Sequence, residues 1–238
     1  MAAATNRGDL YGDDLPLAAG LKEAHGHALE QMVNPGPFWR GHERRAMVLA
    51  ARAATGCGLC ARRSEALSPG QATGNHDGPA DLPPILVDAI HRIRTDPGRL
   101  TRRWFDAVSA ETGQGPYVEM VSVVCTSVII DTLHRALGLA LPDLPPAASG
   151  EPTGAPAADV VDAGAWLPIT RAPDTMADTG LPMVPNIVRA MGLVPAAVEL
   201  FFGAFRPHYA LKDIALSLSQ SQAEFVASRV SAMNECFY

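Results

Sequence analysis

The sequence predicts an all-α protein, and three observations carry that prediction. Apolar residues recur at helical spacing in segments bounded by proline and glycine, as in Leu21 to Val33 and Leu100 to Ala110. The longest uninterrupted segment, Tyr117 to Leu137, sets Asp131, His134 and Arg135 along one helical face. One clear break in composition, residues 141–174, carries prolines at 142, 145, 146, 152, 156, 168 and 173 and reads as a connector rather than a further element.

Taken in order, residues 1–20 lack periodicity and read as a loose arm, followed by an amphipathic helix over Leu21 to Val33 that Asn34-Pro35-Gly36-Pro37 ends. His25 and His27 stand two apart and point in different directions on that helix, so they read as surface histidines rather than a metal pair. Glu43 to Ala54 is apolar nearly all round after its first turn, as a buried helix is. In Thr55-Gly56-Cys57 the glycine is expected to end this helix and Thr55 to cap the next, placing Cys57 in a first turn where the helix dipole favours a thiolate.

Ser68 to Pro84, with four prolines and three glycines, is a loop; Ile85 to Thr95 returns to helix, and Asp96-Pro97-Gly98 starts a turn. Leu100 to Ala110 is a helix carrying Trp104 and Phe105, ended by Gly113 to Pro116. The middle of Tyr117 to Leu137 is β-branched enough for a strand, but its length favours a central helix. Cys125 reads as a small core residue within it, Glu119 as a helix-end carboxylate and His134 as solvated. Beyond the connector, Pro185 to Met191 and Pro195 to Phe205 are short helices with proline in the first turn, the second bearing a stripe of Phe201, Phe202 and Phe205. Ser221 is placed to cap the last helix, with Glu224 completing a capping box.

Composition narrows the function. A hydrophobic content of 47% is ample for a core, and a formal charge of −6 without any basic run argues against nucleic acid as a partner. No basic segment followed by an apolar stretch opens the chain, and the longest apolar stretch, Met120 to Ile130, is short of the ~20 residues that cross a bilayer. A cytoplasmic protein with no membrane partner is expected.

Four cysteines include the CxxC of Cys57 and Cys60, which can be a redox dithiol, half of a zinc site or a packed pair. Redox is preferred. Zinc usually needs four ligands, and neither a second CxxC nor a nearby pair of histidines supplies the other two, so no metal or other cofactor is expected.

Glu224 precedes Cys236 by twelve positions. Glu, eleven residues, Cys, two residues, Cys, three residues and His is the signature of the AhpD-like alkylhydroperoxidases of the carboxymuconolactone decarboxylase superfamily, and Glu224 and Cys236 resemble its first two terms. Cys57 and Cys60 resemble its cysteine pair, with Arg45 at the Glu position and Ser64 at the His position. The resemblance implies an AhpD-like helical bundle in tandem: an arm and helix over 1–33, a first repeat over 34–140, a Pro-rich linker over 141–180 and the start of a second repeat over 181–238.

It further implies a thiol-dependent peroxidase that takes a peroxide substrate, is re-reduced by a thiol partner protein and forms a homo-oligomer. Cys57, Cys60, Glu224 and Cys236 would be its catalytic residues, with Cys60 attacking, Cys57 resolving, and Arg62 or Arg63 holding the thiolate charge. Weak turnover is expected, since Arg45 and Ser64 stand where the proton relay belongs, and His76 in the following loop has no positional claim. The alternatives are a helical scaffold with a vestigial dithiol and a decarboxylase-type lyase. The motif's second cysteine would fall at position 239, one past Tyr238. Some relatives of this kind carry selenocysteine there, so a UGA codon at 239, followed in frame by a histidine codon at 243, is the expected genomic sequence.

Overall fold

A computed structural model describes residues 10–12, 15–78, 81–155, 159–171, 186–208 and 217–233. The described elements are helices α1 (Leu21–Met32), α2 (Gly41–Ala54), α3 (Gly58–Glu65), α4 (Pro84–Thr95), α5 (Arg102–Thr112) and α6 (Gln114–Ala136), a two-stranded ribbon of β1 (Val160–Val161) and β2 (Ile169–Thr170), then α7 (Asn186–Met191), α8 (Pro195–Phe205) and α9 (Gln220–Met233). The all-α expectation holds, with the small antiparallel ribbon as an addition inside the connector: Val160 lies opposite Thr170 and Val161 opposite Ile169.

Helix α6 is the axis. It packs against α8, α2, α4, α5 and α1, and its Met120, Val123, Val124 and Ile130 are fully buried. Burial of side chains of this size contributes roughly 1.5–3 kcal/mol each, so a helix of modest intrinsic propensity is held by its neighbours. By length and composition alone α6 could cross a membrane, and 61% of its most apolar window is buried inside the bundle. It starts at Gln114, three residues earlier than the sequence suggests, after a cap at Gly113 whose φ of 85° suits glycine, and ends before Gly138 at φ 70°.

Residues on both sides of the connector share one core: Met191, Leu193, Val194, Ala197, Leu200 and Ala204 join Met47, Ile90, Phe105 and the α6 residues. Ser122 on α6 donates to the Ala197 carbonyl at 2.7 Å, which fixes α8 in register. The connector itself is docked on the bundle. Ala148 N–H donates to Val33 O at 3.0 Å and Gly154 N–H to Pro37 O at 3.2 Å, while Arg52 donates to Pro142 O at 2.8 Å and closes a two-pronged pair with Asp131 on α6.

Several polar residues lie deeper than helix periodicity indicates. Glu119 is a buried partner of Arg44 on α2, and it also accepts the Phe38 N–H at 2.7 Å; burial pushes both members of the pair towards their neutral forms, against their mutual attraction. His134 is buried rather than solvated, lying 3.1 Å from Leu10 O and stacking on Tyr11. His25 is buried too, between the Tyr11 hydroxyl and His208, with its Nε2 2.8 Å from that of His208; His27 remains at the surface. Covering residues from the arm and from the turn after α8 make a surface position an interior one.

Burial, then the neighbouring His208, lowers His25 from its ordinary 6.5 to about 4. The folded state thus holds a neutral imidazole that the unfolded chain protonates first, so this stability is present above pH 6.5 and is lost as pH falls through 6.5 towards 4. Between pH 7 and pH 5 the loss is about 2 kcal/mol. Urea denaturation at the two pH values should show a drop about 2 kcal/mol smaller in His25→Gln than in the wild-type chain, to which other buried histidines also contribute; equal drops would mean that His25 does not govern acid sensitivity.

Helix α9 begins one residue before the expected cap. Ser219 and Gln222 form the reciprocal box assigned to Ser221 and Glu224, with Ser219 N–H donating to Gln222 Oε1 at 2.9 Å. Phe225, Val226, Val230 and Met233 are exposed along it, and Ala223 is buried.

Candidate functional site

The chain reverses sharply between α2 and α3, and the CxxC lies in that turn. Thr55 closes α2 with its hydroxyl on Arg52 O at 2.9 Å, so it does not cap the next helix. Cys57 occupies the cap position of α3 instead. Its side chain makes no cap bond; the cap is supplied from the following loop, where Asp77 accepts the Gly58 N–H at 2.8 Å and returns its own N–H to Cys57 Sγ at 3.4 Å. The loop sits close against α2 at Gly78, where φ is 122° and a Cβ would lie 2.7 Å from that of Ala53.

This loop delivers His76 to the cysteines. Its Nδ1 lies 3.5 Å from Cys57 Sγ and 3.6 Å from Cys60 Sγ, while its Nε2 lies 3.0 Å from Asp88 Oδ1 on α4. One turn beyond Asp88, His91 places Nδ1 3.3 Å from Cys60 Sγ; its Nε2 is buried without a hydrogen-bond partner among the described residues. The ligating atoms of Cys57, Cys60, His76 and His91 all lie within 4.8 Å of one another. Both cysteines are free and buried, as is His91, and the side chain of His76 is 7% exposed.

Electrostatics distinguish the two thiols. Burial by itself would raise Cys57, but the N–H groups of Asp77 and Cys60 and the His76 ring outweigh it and bring the thiol down to about 7. Burial pushes Cys60 up to about 11, and the adjacent Cys57 sulfur adds to the effect. Burial, then His76, lowers His91 to about 4, so it is neutral. Asp88 stays below the usual carboxylate range: burial opposes this, but hydrogen bonds from His76 and Arg63 prevail.

The structure thus brings Cys57 and Cys60 together and joins to them three residues to which the sequence assigned no role: Asp77, Asp88 and His91. His76, noted as a loop residue without a claim, is central. Asp88 and His91 stand three apart on a helix legible from sequence, so one face carrying a carboxylate and an imidazole was a readable signal. Arg63 directs its hydrogen bonds to Asp88 Oδ1 at 2.5 Å and to Ala72 O at 3.1 Å rather than to a sulfur, while its charge still favours a thiolate at Cys60. Arg45 turns to Pro145 O and Ser64 to Ala61 O, so a histidine and a carboxylate do stand beside the sulfurs, but not from the motif positions. Glu224 lies on α9 and accepts from Gln220 at 2.6 Å, and Cys236 lies outside the described residues. Cys125 is half-buried in α6, where burial pushes its thiol up to about 11.

No family model, curated protein or solved structure matches the chain.

Proposed function

We propose that this protein is a thiol-dependent oxidoreductase, AhpD-like in its reaction, that reduces hydroperoxides through Cys57 and Cys60. The observation that carries this is the arrangement around Cys57 Sγ: it sits at the start of α3, receives the Asp77 N–H, and has His76 at 3.5 Å with a second cysteine one turn on. A thiolate there is the nucleophile such chemistry needs, and sulfenic acid condenses readily with a neighbouring thiol.

Cys57 is the more acidic thiol, so the attack belongs to it rather than to Cys60, to which the resemblance gave it. The thiolate attacks the outer peroxide oxygen, the O–O bond breaks, and Cys57 becomes a sulfenic acid. His76, held by Asp88, is placed to donate the proton that the departing alkoxide takes. Cys60 then attacks the sulfenic sulfur; His76, neutral after the first step and 3.6 Å from Cys60 Sγ, takes the Cys60 proton and passes it to the departing hydroxide, which leaves as water. Two electrons have passed from the thiols to the peroxide, and a dithiol protein returns them by exchange.

Mass spectrometry of chelator-treated, peroxide-treated protein tests this. The peptide carrying both cysteines should lose two hydrogens, and Cys60→Ser should accumulate a sulfenic acid at Cys57 that dimedone traps. Both thiols remaining alkylatable after peroxide would end the proposal, and a sulfenic acid found only in Cys57→Ser would hand the attack to Cys60.

A further inference from the structure

We infer that the reduced chain binds one zinc ion between Cys57, Cys60, His76 and His91. Two thiolates and two imidazoles are a donor set that zinc takes tetrahedrally, and they suit it far better than they suit magnesium or calcium. The geometry fits. With Zn–S near 2.3 Å and Zn–N near 2.0 Å, the sulfur-to-nitrogen edges of a tetrahedron are about 3.5 Å long. Three of the four such edges are 3.5, 3.6 and 3.3 Å, and the fourth, Cys57 to His91, is within 4.8 Å.

The surroundings are those of a metal ligand set. The His76 nitrogen turned away from the sulfurs meets the Asp88 carboxylate, the arrangement that orients a ligating imidazole and raises its basicity, and Asp88 is in turn held by Arg63. The Asp77 N–H on Cys57 Sγ offsets thiolate charge. All four side chains are more than nine-tenths buried and supply four ligands, so the ion would be a closed structural one that ties α3, α4 and the 72–78 loop together. Sequence spacing conceals the set because the two histidines stand 15 residues apart, one in a loop and one on a helix.

The ion and a disulfide exclude one another, because oxidation of the pair removes two of the four ligands. Zinc uptake nevertheless does not depend on peroxidase activity, and the two are measured separately.

The full chain, reduced and stripped of metal without oxygen, is titrated with Zn²⁺ against a chromophoric chelator, and in parallel with Co²⁺. One ion per chain is expected, with intense visible bands of tetrahedral cobalt and a thiolate-to-cobalt charge-transfer band. His91→Ala should abolish the tetrahedral spectrum. Asp88→Asn, which keeps every ligand, should weaken zinc about 10–100-fold, and it remains informative if His91→Ala does not fold. No uptake, an octahedral cobalt spectrum, or affinity unchanged in Asp88→Asn would overturn the inference. Disulfide formation in metal-free protein alongside absent zinc uptake would overturn this inference alone; zinc uptake with no peroxide-driven disulfide would leave it standing and remove the peroxidase proposal.

Discussion

Replacing Arg44 by methionine is expected to destabilise the fold by about 3–5 kcal/mol, the range for removing one member of a buried ion pair. The Arg44 side chain is 6% exposed and that of Glu119 is 1% exposed, so the change leaves a buried carboxylate without its ion partner. Glu119 would keep the Phe38 and Trp39 N–H groups, and burial would drive it to take up a proton. Arg44 also bonds Gln31 O at 3.0 Å, so the change loosens α1 from α2 as well as α2 from α6. Urea denaturation measures the loss. The double variant Arg44→Met with Glu119→Met removes both charges and should be more stable than the single one; a single variant within about 1 kcal/mol of wild type would show that the pair is not a major tie.

His76→Ala should slow the reaction of Cys57 with hydrogen peroxide by about 100-fold at pH 7, the lower end of what a positioned proton-transfer group contributes. Part of that loss comes through the thiol. Cys57 sits at about 7 with His76 among the groups that lower it, so the variant should shift upward and hold less thiolate at neutral pH. The rate deficit should therefore narrow as pH rises. Stopped-flow measurement with chelator present checks both the size and the pH dependence. A variant that keeps the wild-type rate from pH 6 to pH 9 would show that His76 neither activates the sulfur nor moves a proton.

The bundle was legible in the sequence wherever the signal is local. Helices α2, α4, α5, α6 and α8 announce themselves by apolar spacing between breakers, and each lies within a few residues of its expected span. The CxxC at a helix start was legible for the same reason. What was not legible depends on which segments meet. Thr55 looked like a cap, but Asp77, 19 residues past Gly58, reaches back and takes that place. His25 and His134 looked solvated because periodicity gives a face its direction but not the identity of what covers it; Tyr11 and His208 cover these. The metal reading was set aside for want of two ligands that the 72–78 loop and α4 bring from 16 and 31 residues beyond Cys60.

The packing of α8 on α6 also sets a timetable for synthesis. About 70 residues separate the end of α6 at Ala136 from the end of α8 at Phe205, so at ribosomal speeds of roughly 5–20 residues per second α6 waits on the order of several seconds for its cover. During that interval the nascent chain displays a helix apolar and long enough to resemble a membrane span. Ribosome-bound chains halted once Ala136 has cleared the exit tunnel should therefore attract factors that bind hydrophobic segments, and chains halted late enough for Phe205 to clear it should release them.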